Sequence, residues 1–338
     1  MYSDGDRLMS WSRRRFLKWA ALALGTAPLV GAGCSPRGQG VRETTGHYGS
    51  PGLQTPAATP ALPAEAPAQG GPHLAVVRGP DPVKLTERAV AALGGIEQFV
   101  GSGDRVVIKP NICVDYRGPE YAATTNPDVV ATLVRLCLGA GAARVRVMDM
   151  PFGGTPESAY EASGIAMAVR DAGGEMVPMN RAKFILTEIP DGVDLKAWEF
   201  YGDVVRADAV INVPIAKHHS LAKLSLGMKN LLGVITNPGS IHSNMGQRVA
   251  DLASLVRPAL TVVDAVRILM AHGPTGGDLG DVRRADTVIA SHDFVSADAQ
   301  AATLFGLSGA DVAYVRLADR MGLGTMDLDE IDIEEFSV

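Results

Sequence analysis

Residues 208–219 read Asp208-Ala-Val-Ile-Asn-Val213-Pro-Ile-Ala-Lys217-His218-His219. Through Val213 this is a short apolar run of the kind that forms a strand buried on both faces. It then passes straight into a cationic segment that continues through Lys223 and Gly227-Met-Lys229-Asn230-Leu-Leu-Gly233. Working outward, comparable apolar runs recur at 74–78, 105–109, 144–148, 260–263 and 287–290. Stretches of helical spacing lie between them, at 84–99, 126–138, 157–172 and 298–307, with Gly164 weakening the third. Asn126-Pro127-Asp128 has the composition of a helix start, with proline at the first helical position. Strand and helix patterns in alternation build βαβ units. The expected fold is α/β: a mostly parallel sheet with helices on both faces, plus a helical insertion around 221–258.

The chain has 338 residues, enough for one large or two modest domains, and 46% of them are hydrophobic. Net charge is −6: +4 over residues 1–40, −1 over 41–72, and therefore −9 over the remainder. An acidic body with only 5% aromatics is not built to attract nucleic acid. Three cysteines without a Cys-x-x-Cys pair exclude a self-contained iron–sulfur cluster.

Ser12-Arg-Arg-Arg-Phe-Leu-Lys18, followed by an apolar run to Gly33, has the layout of an export signal and resembles the twin-arginine type. Residues 1–34 are thus expected to engage the twin-arginine export machinery. Cys34 closes the run where a lipoprotein would be cleaved and lipidated. Residues 35–72, rich in Pro, Ala and Gly, read as a linker. The expected location is the periplasm or the outer face of the membrane, with membrane contact only through the signal or a lipid anchor. Residues 74–310 form the expected α/β domain. Residues 311–338 form an acidic segment whose run 327–335 holds six acids and no base, read as a solvated edge or tail.

Ligands of open α/β sheets bind beyond the carboxyl ends of strands. Five strand ends here carry polar groups: Lys109 and Asn111, Asp149, Lys217 to His219, Asp264, and His292 with Asp293. Lys217 and Lys229 suit a carboxylate or phosphate, and a desolvated Lys229 suits a base or a covalent adduct. His219 suits a general base or metal ligand. His219, His242 and Asp264 form a candidate metal set. The glycine-rich loop His272-Gly-Pro-Thr-Gly-Gly277 lets backbone approach a ligand, which makes Gly276 and Gly277, with Lys109, Asn111 and Asn230, candidate substrate contacts.

Ile108-Lys-Pro-Asn111, Thr124-Thr-Asn-Pro127, Val147-Met-Asp149, Ile211-Asn-Val-Pro214 with Lys217 and His219, and Leu226-Gly-Met-Lys-Asn-Leu-Leu-Gly233 resemble the domain of unknown function 362 family. So do Asp264, Gly273-Pro-Thr-Gly-Gly277 and Asp293 with Asp298. The family often has a second lysine two residues before Lys217, where this chain has Ile215. His219 ten residues before Lys229 is also similar to the arrangement of the lactate racemase family. That resemblance implies a nickel-pincer nucleotide held on Lys229, with His219 and His242 as ligand or base. The combined expectation is an exported enzyme acting on a small anionic substrate by redox or proton-transfer chemistry. It would use His219, Lys229, Lys217 and Asp149 as catalytic groups, with a metal or metal-containing organic cofactor. The alternative is an envelope protein that captures an anion or metal without turnover.

Overall fold

The computed structural model describes residues 72–338. The signal, Cys34 and all but the last residue of the linker lie outside the described residues. Strand β1 (Leu74–Arg78) leads to helix α1 (Pro82–Ala92), β2 (Arg105–Pro110) to α2 (Pro127–Gly139), and β3 (Arg144–Val147) to α3 (Pro156–Ala162) and α4 (Ile165–Asp171). Next come β4 (Glu175–Met176), the hairpin β5 (Phe184–Glu188) and β6 (Ala197–Tyr201), and the single turn α5 (Gly202–Val205). Then follow β7 (Ala209–Val213), β8 (Ile215–His219), β9 (Lys223–Ser225), and helices α6 (Gly227–Asn230) and α7 (Met245–Val256). The remaining elements are β10 (Leu260–Leu269), β11 (Val282–Ser291), α8 (Phe294–Thr303), α9 (Ala313–Arg320) and β12 (Ile333–Ser337).

The main sheet runs β12-β1-β11-β10-β7-β2-β3-β4, with β8 joined to β10 and β9 to β8. Pairing is parallel from β10 through β7, β2 and β3 to β4, and antiparallel where β11 meets β10 and β1. It is therefore a mostly parallel, mixed sheet. Alternation along β1 shows how both faces are used. Ala75 and Val77 join a core with Leu85 of α1, Leu133 of α2 and Ile165 of α4. Leu74 and Val76 join the opposite core with Val249 of α7, Val295 of α8 and Tyr314 of α9. Each fully buried Leu, Ile or Val in these layers contributes about 1.5–3 kcal/mol over its exposed state.

Helix ends follow the expected chemistry. Asn126 accepts the Asp128 N–H ahead of Pro127. Gly164, at φ +73°, breaks the expected 157–172 helix into α3 and α4.

Two expectations are refined. The stretch 221–258 is mainly helical, through α6, α7 and the 3-10 turns between them, but it opens with a short strand. Its first residues form β9, paired antiparallel with β8, with Lys217 opposite Ser225 and His219 opposite Lys223. Leu224 and Ser225 of that strand are both buried, so no alternation of exposure marked it in the sequence. Of the two readings of the acidic terminal run, edge or tail, the structure shows the edge. Val312, Tyr314 and Val315 are buried in the second core, and β12 pairs in parallel with β1. Its acids line an edge strand, where charge discourages further strand pairing. Glu335 there bonds Arg78 at 2.7 Å.

Candidate functional site

The register of the sheet assembles the pocket. Lys109 is next to last in β2, beside Asn212 of β7, and Asp149 follows β3, the next strand over. Lys217 sits within β8, Lys229 and Asn230 on α6. Together they line a cavity of about 190 Å³ with Asn111, His219, Ser225 and His242. Its apolar wall includes Ile112, Met150, Leu232 and Pro274, and Phe152, 76% exposed, stands at the mouth.

Lys109 Nζ is fully buried and donates to Asp149 Oδ1 (2.6 Å), Pro110 O (2.7 Å) and Asn230 Oδ1 (3.0 Å). Three acceptors match the three N–H bonds of an ammonium. Burial lowers the lysine's pKa and raises that of Asp149, and their attraction opposes both shifts. Asp149 Oδ2 also accepts the Ile112 N–H at 2.6 Å. The pair is roofed by Gly233, where a Cβ would overlap the Asp149 carboxylate, so only glycine lets the backbone pass.

A polar chain extends from this pair. Asn230 Oδ1 accepts from Asn111 Nδ2 (2.9 Å), and Asn111 Oδ1 accepts from Lys217 Nζ (2.9 Å), which also donates to Ala123 O (2.7 Å). Asn230 Nδ2 donates to Asn212 Oδ1 at 2.9 Å. Lys229 differs from both other lysines, since its Nζ has no hydrogen-bond or ion-pair partner among the described residues. Burial, then the nearby Lys217 charge, push its pKa down to about 8. Its helix is held by buried Asp298, which accepts the Gly227 (2.6 Å) and Met228 (2.9 Å) N–H groups.

His219 Nδ1 accepts the backbone N–H groups of Leu221 (3.1 Å) and Ala222 (3.2 Å). In the neutral ring the proton therefore sits on Nε2, and the ring offers an N–H rather than a lone pair. Burial, then the Lys229 charge, push its pKa down to about 3, so it stays neutral. The expectation of His219 as a general base is corrected accordingly: as placed it is a hydrogen-bond donor.

The pocket brings together Lys109, Asn111, Asp149, Lys217, His219, Lys229, Asn230 and His242. It does not include Asp264, Gly276 or Gly277. Asp264 is buried and accepts from the Asn126 (2.7 Å) and Val266 (3.0 Å) N–H groups, fixing the start of α2; burial pushes its pKa up to about 6. It cannot complete a metal set with His219 and His242, whose ring centroids are 6.4 Å apart. Among the described residues no group of three or more His, Cys, Asp or Glu is placed to hold a metal ion. The glycine-rich loop folds back on the β10–β11 hairpin, held by His272 and Asp281 at 2.9 Å, and contributes Pro274 instead of its glycines. Asp293 caps α8 by accepting the Val295 and Ser296 N–H groups, away from the cavity. Cys113, Met150, Phe152 and Leu232 line the pocket without having been picked as contacts. Their place directly after β2, after β3 and beside Lys229 was the available signal.

The fold and this pocket define an α/β protein with a lysine-rich site at the ends of parallel strands. The chain belongs to the DUF362 family, a domain of unknown function whose family model matches residues 106–303. It is similar to a thylakoid-associated protein of Synechocystis sp., 27% identical over 240 residues, covering 68% of this chain and 72% of that one. Among solved structures it is similar to the lactate racemase apoprotein of Thermoanaerobacterium thermosaccharolyticum, with a TM-score of 0.42 and 15% identity. That match covers 72% of this chain and 58% of the other. A Thermotoga maritima protein matches with a TM-score of 0.43 and 12% identity, covering 68% of this chain and 60% of its own. The chain thus spans less than two thirds of either solved structure.

Proposed function

We propose that the protein is an enzyme that binds a small organic anion in the strand-end pocket and moves a proton on it. The observation that carries this is the convergence of Lys109, Lys217 and Lys229 on one cavity, with Asp149 the one carboxylate lining it among the described residues. Lys109 is neutralised by Asp149, which leaves Lys217 and Lys229 to face an anion. The Lys217 ammonium, bonded twice, retains one N–H for a carboxylate or phosphate. The His219 Nε2–H is a second donor, suited to an oxygen on which charge develops. Lys229, whose pKa of about 8 is close to neutrality, is the group suited to accept and return the proton. The apolar wall suits a short carbon skeleton beside the charged end.

Lys229 also has the free amine that attachment of an organic cofactor requires. The histidine arrangement does not fit a metal held by His219, because its Nδ1 lone pair is taken by two amides and its Nε2 is protonated.

The test follows a panel of small mono- and dicarboxylates in deuterated water by proton NMR, alongside calorimetric binding. Exchange at the carbon beside the carboxylate, abolished in Lys229→Met, is the expected result. Binding without exchange across the panel replaces the enzyme with a capture protein, and neither binding nor exchange removes both readings. Lys217→Met should weaken anion binding by about 10- to 100-fold, the worth of a charged hydrogen bond. Wild-type affinity should fall as pH rises through about 8, where Lys229 loses its charge.

We also propose that the protein works outside the cytoplasm, exported by residues 1–34 and tethered through Cys34 and the 35–72 linker. The support is the order of basic, apolar and cysteine elements in the sequence. Replacing Arg13 and Arg14 with lysine should block export, and Cys34→Ala should release the exported protein from the membrane fraction. Unchanged fractionation in both variants would remove this reading.

A further inference from the structure

We infer that Lys229 is the amine that condenses with the carbonyl carbon of a small oxo acid, so that the pocket holds its ligand as an imine. This rests on the organic-anion reading of the pocket and names the substrate class within it.

The three lysines lie in one cavity but are built for different work. Lys109 has all three N–H bonds committed, and Lys217 has two. Both are committed as hydrogen-bond donors. Lys229 has no such commitment, is half-buried, and faces the cavity beside the Lys217 charge. A residue required only to clamp an anion gains from permanent charge and a rigid fork, which arginine supplies. A lysine desolvated beside another cation gains instead the free amine that attacks carbonyl compounds. With a pKa of about 8, about a tenth of Lys229 is free amine at neutral pH.

The surroundings match each part of such a ligand. The remaining N–H of Lys217 suits its carboxylate. The His219 Nε2–H suits its carbonyl oxygen. Ile112, Met150 and Leu232 give an apolar wall beside the amine, suited to the carbon skeleton of such a ligand.

The step balances without a redox partner. The amine nitrogen forms a bond to the carbonyl carbon, and the carbonyl oxygen takes up a proton as the nitrogen gives one up. The resulting hydroxyl leaves as water with the second nitrogen proton, and the C=N bond replaces C=O. One amine and one carbonyl give one imine and one water. The imine then draws electrons from the adjacent carbon, which acidifies its C–H; in this form Lys229 promotes the proton transfer as the imine nitrogen and does not itself accept the proton.

The experiment uses the full chain with pyruvate as probe and borohydride to reduce the imine to a stable secondary amine. Intact mass and peptide mapping locate the adduct, with the exposed Lys84 as internal reference. The expected result is one adduct, at Lys229, forming roughly tenfold or more faster than at Lys84. Its rate should climb as pH rises toward about 8, and acetate, which lacks the ketone, should slow it by competition. Lys229→Arg should lose the adduct, and the wild-type peptide map decides the site even where that variant does not fold. Labelling spread over exposed lysines at the Lys84 rate, or no label, overturns the imine. Thermal unfolding with pyruvate or acetate, without borohydride, separates the two readings. A shift with both anions but no Lys229 adduct overturns the imine and leaves the anion pocket standing. No shift with either overturns both.

Discussion

His219 shows how one residue's surroundings reverse the role its type suggests. Two backbone amides take its Nδ1, and burial pushes its pKa down to about 3, against an unfolded value of 6.5. Between those values the unfolded chain binds a proton that the native ring refuses. The stability this provides is complete above 6.5 and is lost as pH falls toward 3. From pH 7 to 5 the loss from this residue is about 2 kcal/mol. Asp264 and Asp298 act oppositely in the same range. Their native pKa values are raised to about 6 and about 7, so protonation in the native state favours folding as pH falls. Urea unfolding of wild type and His219→Gln at the two pH values isolates the histidine. The gap between the two proteins should change by about 2 kcal/mol, and a constant gap would refute the assignment. None of this was legible in the sequence, where Lys217-His218-His219 indicates an active histidine but not which nitrogen is free.

The loop after α6 carries the next lesson, because Gly233 is a part of the Lys109–Asp149 pair without contributing a side chain. Gly233→Ala places a methyl group where the carboxylate lies, and Asp149 must leave its partner. Separating a buried ion pair costs about 3–5 kcal/mol. The variant is expected to unfold at correspondingly lower denaturant and to lose anion binding with it, whereas Gly139→Ala at the end of α2, with open space around its Cβ, should be neutral. Equal stability of the two variants would contradict this role. At this scale the sequence was legible where local chemistry decides. Asn126-Pro127 starts α2, and Gly164 ends α3 and opens the way to α4. It was not legible for β8 and β9, because Lys217, His218 and Lys223 hide the strand period and only the partner strand reveals it. Asp264 and Asp293 show the same limit, since a carboxylate that accepts backbone amides cannot be told by spacing from one that meets a ligand.

For the whole molecule, alternating apolar runs were sufficient to give the α/β class, and the strand-end rule was sufficient to bring Lys109, Asp149 and Lys217 together. The sheet edge was beyond that reasoning. Nothing near Ile333–Ser337 in sequence says that its partner is β1, because the pairing closes across nearly the entire described chain. Arg88 stacking over the Phe336 ring at 3.6 Å adds to that closure. Removing residues 333–338 should uncover β1, lower the unfolding temperature by several degrees and promote association through the bared edge. A truncated protein that stays monomeric with an unchanged midpoint would refute this.

β1 lies between β11 and β12, and His73 N–H donates to Asp332 O at 2.9 Å as the chain enters the sheet. A pull applied at residue 72 along the strand axis therefore loads two hydrogen-bond ladders at once, in shear. The bonds must fail together instead of one after another, as they would if an edge strand were peeled. The sheet gives this protein a mechanical grip at the point where a tether would enter it, and β11, β10 and β7 stand between that grip and the β2 strand that carries Lys109 into the pocket.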